Sequence, residues 1–148
     1  MAASIYAPSY VSFEYALAYY SLIPETVYAC TCATFEKRRT KKYETPFGLF
    51  MFRDVPSAVY PYGVDVYKEG EYAYQIASAE KAVCDQLYKI SKIYSQKELE
   101  RVLFEDLRID EGEFNKLNYA DMIELSGKYG SVNLEILGAY LKRRYKNG

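Results

Sequence analysis

The sequence predicts an α+β fold: an N-terminal helix, a small and mainly antiparallel sheet built with hairpins, then a helical C-terminal half. Three observations carry this. Apolar residues recur at helical spacing near the start, at Phe13, Ala16, Leu17 and Tyr20. Alternating β-branched and aromatic runs, punctuated by Pro and Gly, follow from about residue 26 to residue 77. From Ser78 onward the period is helical again. Strands set apart from helices indicate α+β rather than a repeating βαβ chain. A length of 148 residues is one domain's worth. Residues 1–148 are read as a single unit, a helix-plus-sheet core at about 9–90 and a helical lobe at 91–148.

In "SYVSFEYALAYYSLIPE" Ser12 is placed to cap the first helix, and Pro24 to end it, because proline cannot continue the hydrogen-bond ladder. "TVYACTCATF" alternates as a strand over about Thr26–Thr34. "KKYETP" is a short strand beyond a basic loop, expected as a hairpin tip, and "PFG" turns the chain into "LFMFRDV". "VDVYKEGEYAYQIA" has the form of two strands joined at Glu69-Gly70. "SAEKAVCDQLYKIS" begins at a Ser cap, with Ala79, Ala82, Val83, Leu87 and Ile90 on one face. "SQKELERVLFEDL" carries the capping box Ser95…Glu98, and "NYADMIELSGKYG" has Asn118 as cap with Gly127 or Gly130 as stop. "SVNLEILGAYLKRRYK" closes on a basic turn that suits the negative end of a helix dipole.

The net charge is −1, but it is unevenly placed. Residues 36–42 hold five cations and one anion, the tail adds Lys142, Arg143, Arg144 and Lys146, and residues 93–124 hold nine acids against four bases. Segregated charge of this kind speaks to partners more than its sum does. No apolar stretch nears the roughly 20 residues of a membrane span, and the start has no basic segment leading into an apolar one. A cytoplasmic protein without membrane contact is expected.

The absence of histidine removes Ser-His-Asp and Cys-His nucleophiles and histidine bases. No phosphate loop and no GxGxxG follow a strand, so no nucleotide cofactor is expected. Cys30 and Cys32 share a strand face, and a soft-metal site completed by Cys84 would still lack zinc's fourth ligand, so the three are read as small buried side chains and no metal is expected. A restriction-type nuclease wants an acid followed by acid-x-Lys on a neighbouring strand. Asp54, Asp65 and Lys68 come nearest, but "DVYK" has one residue too many. The 18 tyrosines, with no tryptophan, suit either the rim of a small core or a surface that stacks on bases.

Three segments together resemble a family. "SYVSFEYALAYYSLIPETVY" is similar to the opening of the C-terminal domain of AbiEi-type antitoxins, whose helix closes on a Leu-Ile-Pro-Glu-like turn. "ATFEKRRTKKYETPFGLFMFRDV" resembles that family's basic run followed by Phe/Tyr-Glu-Thr-Pro-x-Gly-x-Phe. "YQIASAEKAVCDQLY" resembles its Ile-Ala-Ser-Pro-Glu-Lys-Ala-Leu-x-Asp helix start. The matches keep the family's order and spacing over about residues 9–90. The resemblance implies the antitoxin half of a bacterial type IV toxin–antitoxin (abortive phage infection) operon, non-enzymatic. Such a domain counteracts a nucleotidyltransferase-like toxin, without a direct complex being implied, and supports operon autorepression by contact with operator DNA. The sequence starts close to that domain's first helix, so the family's N-terminal winged helix is expected to be missing, whether as a fragment or a stand-alone relative. It departs from the family at Ala79, where a proline is usual, and at Ser21, where a glycine is expected.

The residues expected to meet a polyanion are Lys37, Arg38, Arg39, Lys41 and Lys42, with Lys142, Arg143, Arg144 and Lys146 as a second patch. Five cations can neutralise several phosphates and release their counterions, and arginines add bidentate contacts. The same run would also serve as a charged loop that keeps a sheet edge soluble. Glu44-Thr45-Pro46-Phe47-Gly48 reads as a turn, and Glu80-Lys81 as first-turn residues of a helix. A pure interaction module, binding a protein or a second copy of the chain, is the alternative class.

Overall fold

The computed structural model describes residues 9–24, 29–34, 41–45, 48–56, 64–69 and 72–147. Six strands form one sheet: β1 (Ser9–Val11), β2 (Ala29–Thr34), β3 (Lys41–Thr45), β4 (Gly48–Asp54), β5 (Val64–Glu69) and β6 (Tyr72–Ala77). The helices are α1 (Phe13–Tyr19), α2 (Ala79–Lys89), α3 (Gln96–Arg101), α4 (Glu111–Phe114), α5 (Tyr119–Ser126) and α6 (Val132–Asn147). The architecture is α+β with a helical C-terminal half, as the sequence indicates.

The strand order is β3-β4-β2-β1-β6-β5. The hairpins β3/β4 and β5/β6 form where the turn residues place them, and β1 is antiparallel to β2. Two pairings are parallel, β2 with β4 and β1 with β6. This corrects one expectation. Because β4 lies between β2 and β3, the basic run does not close a hairpin between them. β4 already spends one edge on β3 and the other on β2, so β2 and β3 have no edge to share. Lys37, Arg38 and Arg39 themselves lie outside the described residues.

The first helix differs at both ends. The three residues before Ser12 form β1, which threads between β2 and β6. At the C-terminus the helix stops at Tyr19, well before Pro24. The Ser21 amide donates to Ala18 O at 3.0 Å and the Leu22 amide to Leu17 O at 2.9 Å, with Ser21 at φ 61°. These are the paired bonds of a Schellman turn, and Leu17 and Leu22 supply its apolar contact from inside the core. The residue at its left-handed position is a serine where the resemblance calls for glycine.

In the C-terminal half each cap expected from sequence forms: Ser78 accepts from the Lys81 amide, Ser95 from Glu98 and Asn118 from Asp121. Glu98 reaches back to the Tyr94 amide rather than to Ser95's own, so the capping box is shifted by one residue. α3 runs into a π-helical turn over Val102–Asp106. α2 is the axis of the molecule. It packs on α1 and β6 on one side and on α5 and α6 on the other. No helix among the described residues is long and apolar enough to cross a membrane.

Candidate functional site

α2 presents two charges to the interior. Lys81 and Asp85, one turn apart, both have fully buried side chains, with Lys81 Nζ 3.4 Å from Asp85 Oδ1. Burying an ion pair is costly unless its remaining donors and acceptors are filled, and here the carboxylate's are. Tyr10 of β1 donates its hydroxyl to Asp85 Oδ2 at 2.8 Å, and Ser12 donates to the same oxygen at 2.6 Å. Tyr129, from the turn between α5 and α6, donates to Asp85 Oδ1 and accepts from Lys81 Nζ at 3.0 Å. A carboxylate has about four acceptor positions, and all four of Asp85's are taken by this chain. The ammonium also lies over the rings of Tyr129 and Tyr10, at 4.9 and 5.7 Å from their centroids. Burial lowers the Lys81 pKa, against the pull of Asp85. Burial and then the Asp85 charge hold Tyr129 well above the ordinary tyrosine value, keeping it a donor.

Ser12 explains a local oddity. It occupies the N-cap position of α1, but its hydroxyl serves Asp85 and not the helix. The cap comes from the sheet instead: Thr31 Oγ1 on β2 accepts from the Tyr15 amide at 3.0 Å and donates to Ser12 O at 2.6 Å. Phe13, between these two anchored residues, is held at φ 55° with its side chain fully buried. A bulky side chain in that region is strained, and here the strain adjoins the Asp85 cluster.

A second, half-exposed group lies at the start of α1. Glu14 accepts both Arg53 Nη1 bonds, at 3.0 and 2.9 Å, and the Gln86 amide at 3.4 Å, while the guanidinium sits over Phe13. Glu80 accepts from the Asn118 amide at 2.9 Å, so this first-turn acid of α2 also pins the start of α5.

Among the described residues the cations expected from sequence lie on two elements, β3 and α6. Lys41 and Lys42 belong to β3, an edge of the sheet. Lys142 and Arg143 are exposed on α6, and Lys146 stands one turn beyond Lys142. Arg144 turns back onto the protein. It donates to Glu111 at 3.0 Å, to Asn115 and to Tyr140, and it covers Phe104 and Phe114. It braces α4 against α6, which leaves Lys142 and Arg143 as the tail's solvent-facing cations among the residues whose side chains are described. The acids and lysine of the nuclease alternative are held apart. Asp54 ends β4 and Asp65 and Lys68 lie on β5, four strand steps away, or about 19 Å at the usual strand spacing. They cannot share one metal ion. Among the described residues no three Cys, Asp or Glu side chains converge on a metal position.

The Asp85 cluster itself was not singled out from the sequence. Its signal was an i,i+4 Lys/Asp pair on a helix whose next positions, Ala82, Val83 and Cys84, are apolar, with both residues in the Ser-Ala-Glu-Lys-Ala-Val-Cys-Asp stretch that carries the resemblance. Tyr10, Ser12 and Tyr129 had no such mark. Compared with known proteins, the chain matches no family model, no curated protein and no solved structure.

Proposed function

We propose that this chain is the antitoxin domain of a bacterial type IV toxin–antitoxin system of the AbiEi kind, acting in the cytoplasm against a nucleotidyltransferase-like toxin. The role is non-enzymatic, and repression of the operon through DNA contact accompanies it. One observation supports this reading above others. The three segments that resemble the family bond to one another in space. Tyr10 and Ser12 of the first reach Asp85 of the third, and Glu14 of the first holds Arg53 of the second.

DNA contact would fall to Lys37, Arg38, Arg39, Lys41 and Lys42, joined by Lys142, Arg143 and Lys146 and not by the engaged Arg144. If the five cations of the basic run all meet phosphates, the log–log salt slope of binding is about −4 to −5.

Rescue is the test. A nucleotidyltransferase toxin of an AbiE-type operon is induced in a bacterial host, and survivors are counted with this chain, with a variant neutral at residues 37–42, and with an empty vector. Survival with the native chain is the expected result. A folded, abundant native chain that rescues nothing overturns the antitoxin reading and turns attention to other protein partners. Rescue that persists in the neutral variant separates antitoxicity from the basic run.

A further inference from the structure

Cys30 and Cys32 take no part in the Asp85 cluster, yet they are placed as a pair. They stand two apart on β2 with their sulfurs 3.9 Å from each other. Cys30 is half-buried and Cys32 buried. Register sets Cys32 between Val11 of β1 and Phe52 of β4, and Cys30 beside Phe50.

Two thiols this close can join as a disulfide or share an ion. Geometry disfavours the disulfide. Along a strand, α-carbons two residues apart are separated by about 6.6–6.8 Å, the outer limit for a disulfide at about 6.8 Å. The sulfurs would also have to close to about 2.05 Å on a strand paired on both sides. An ion asks less movement of the sulfurs than a disulfide does. Sulfurs 3.9 Å apart, each about 2.3 Å from a metal, enclose an angle of about 115°, which a small opening of the pair would widen toward the straight arrangement a two-coordinate ion prefers. The chain has no histidine, and no third Cys, Asp or Glu joins the pair among the described residues, so zinc's four-ligand shell is not supplied. A donor set of thiolates alone selects soft ions.

We propose that Cys30 and Cys32 form a two-sulfur site for a soft monovalent metal cation of the copper(I) class, reached from the half-exposed side of Cys30. Two S–H bonds break, two sulfur–metal bonds form, both protons pass to solvent, and no electron is transferred. Cys84 stays outside the site; it is fully buried and burial pushes its thiol up.

The test titrates the full chain with copper(I), kept reduced by ascorbate under argon, against bicinchoninate as a coloured competitor, with native mass spectrometry to count ions. One ion per chain is expected for the native protein and for Cys84→Ala. Cys30→Ser is expected to bind about 100-fold more weakly or less, the loss that follows when a second donor on the same chain is removed. Cys32→Ala should match it, and Cys30→Ser decides alone if that buried variant unfolds. Native binding no tighter than that of Cys30→Ser, or an equal loss in Cys84→Ala, overturns the proposal. So does the disappearance of two thiols in air without metal, which would mark a disulfide.

Discussion

Asp85 and Tyr129, 44 residues apart in the chain, share a hydrogen bond inside the protein, and through it the sheet and the C-terminal helices are fastened at one carboxylate. Tyr10 and Ser12 grip the other oxygen from the sheet side. The cluster is therefore a joint between the two halves, with α2 as its pin.

Removing the carboxylate should be severe. Asp85→Ala strands a buried ammonium and three hydroxyl donors, and breaking a buried pair from one side costs about 3–5 kcal/mol. Replacing both charges, as Lys81→Met with Asp85→Leu, leaves no uncompensated charge and is expected to cost less than Asp85→Ala alone. Urea denaturation at neutral pH measures both. A loss under about 1 kcal/mol for Asp85→Ala would place it among ordinary surface changes and contradict the joint.

Ser21 offers the opposite sign. A non-glycine residue in the left-handed region costs roughly 1–2 kcal/mol, and glycine gives back about 0.5–1 of that in chain entropy. Ser21→Gly is thus expected to stabilise the fold by about 0.5–1 kcal/mol, and Ser21→Val to destabilise it. Thermal midpoints of the three proteins order them, and a Gly variant melting below the native chain would mean that Ser21's side chain holds something the turn needs.

These two sites show what could be seen in the sequence. Strands and helices were legible wherever period and punctuation agreed: β5/β6 around Glu69-Gly70, and α2 from its Ser78 cap. Pairing was not, because nothing local in "TCAT" says that β2 will lie parallel to β4, or that three residues before Ser12 will slip in beside it. Those contacts join segments far apart in the chain. The Asp85 cluster was hidden for a related reason. Tyr10 and Tyr129 resemble the other tyrosines until the fold brings them to one carboxylate, and Arg144 looks like its neighbours Lys142 and Arg143 until α4 packs beneath it.

Asn133 should prove as costly as a core residue. It is buried at the start of α6, where Oδ1 accepts from the Ile93 amide at 2.8 Å and Nδ2 donates to Leu87 O at 2.9 Å, closing the end of α2. Asn133→Ala leaves a buried amide and a helix-end carbonyl unpaired, at about 1–3 kcal/mol for each orphaned group. Asn133→Asp keeps the acceptor but sets a carboxylate against the carbonyls of Leu87, Ile90 and Ser91, and is expected to be no better than alanine. Hydrogen exchange at the Ile93 amide, together with the urea midpoint, reads the loss directly; an Asp variant as stable as the native chain would show that the Nδ2 bonds carry no weight.

The alkaline limb of stability carries two opposed signs. Burial, followed by the hydrogen bond to Glu100, pushes Tyr140 up to about 12, while an unfolded tyrosine ionises near 10. Between those values the unfolded chain gives up a proton that the folded one keeps, so stability present below pH 10 is lost as pH rises toward 12. Tyr129, raised still further by burial, acts in the same direction. Lys81 acts in the other: its folded pKa lies below the ordinary 10.5, so beneath that value the unfolded state holds the extra proton and stability climbs with pH. Cys84, whose thiol burial raises, gives up its proton in the unfolded chain from about pH 8.5 and offsets Lys81 there, so a profile that falls beyond pH 10 is expected. Tyr140→Phe should flatten the descent by at most about 1.4 kcal/mol per pH unit, the slope that one proton carries, and Lys81→Met should bring the fall to lower pH. Urea midpoints from pH 8 to 12 supply the measurement, and a Tyr140→Phe profile parallel to the native one would show that this phenol ionises alike in both states.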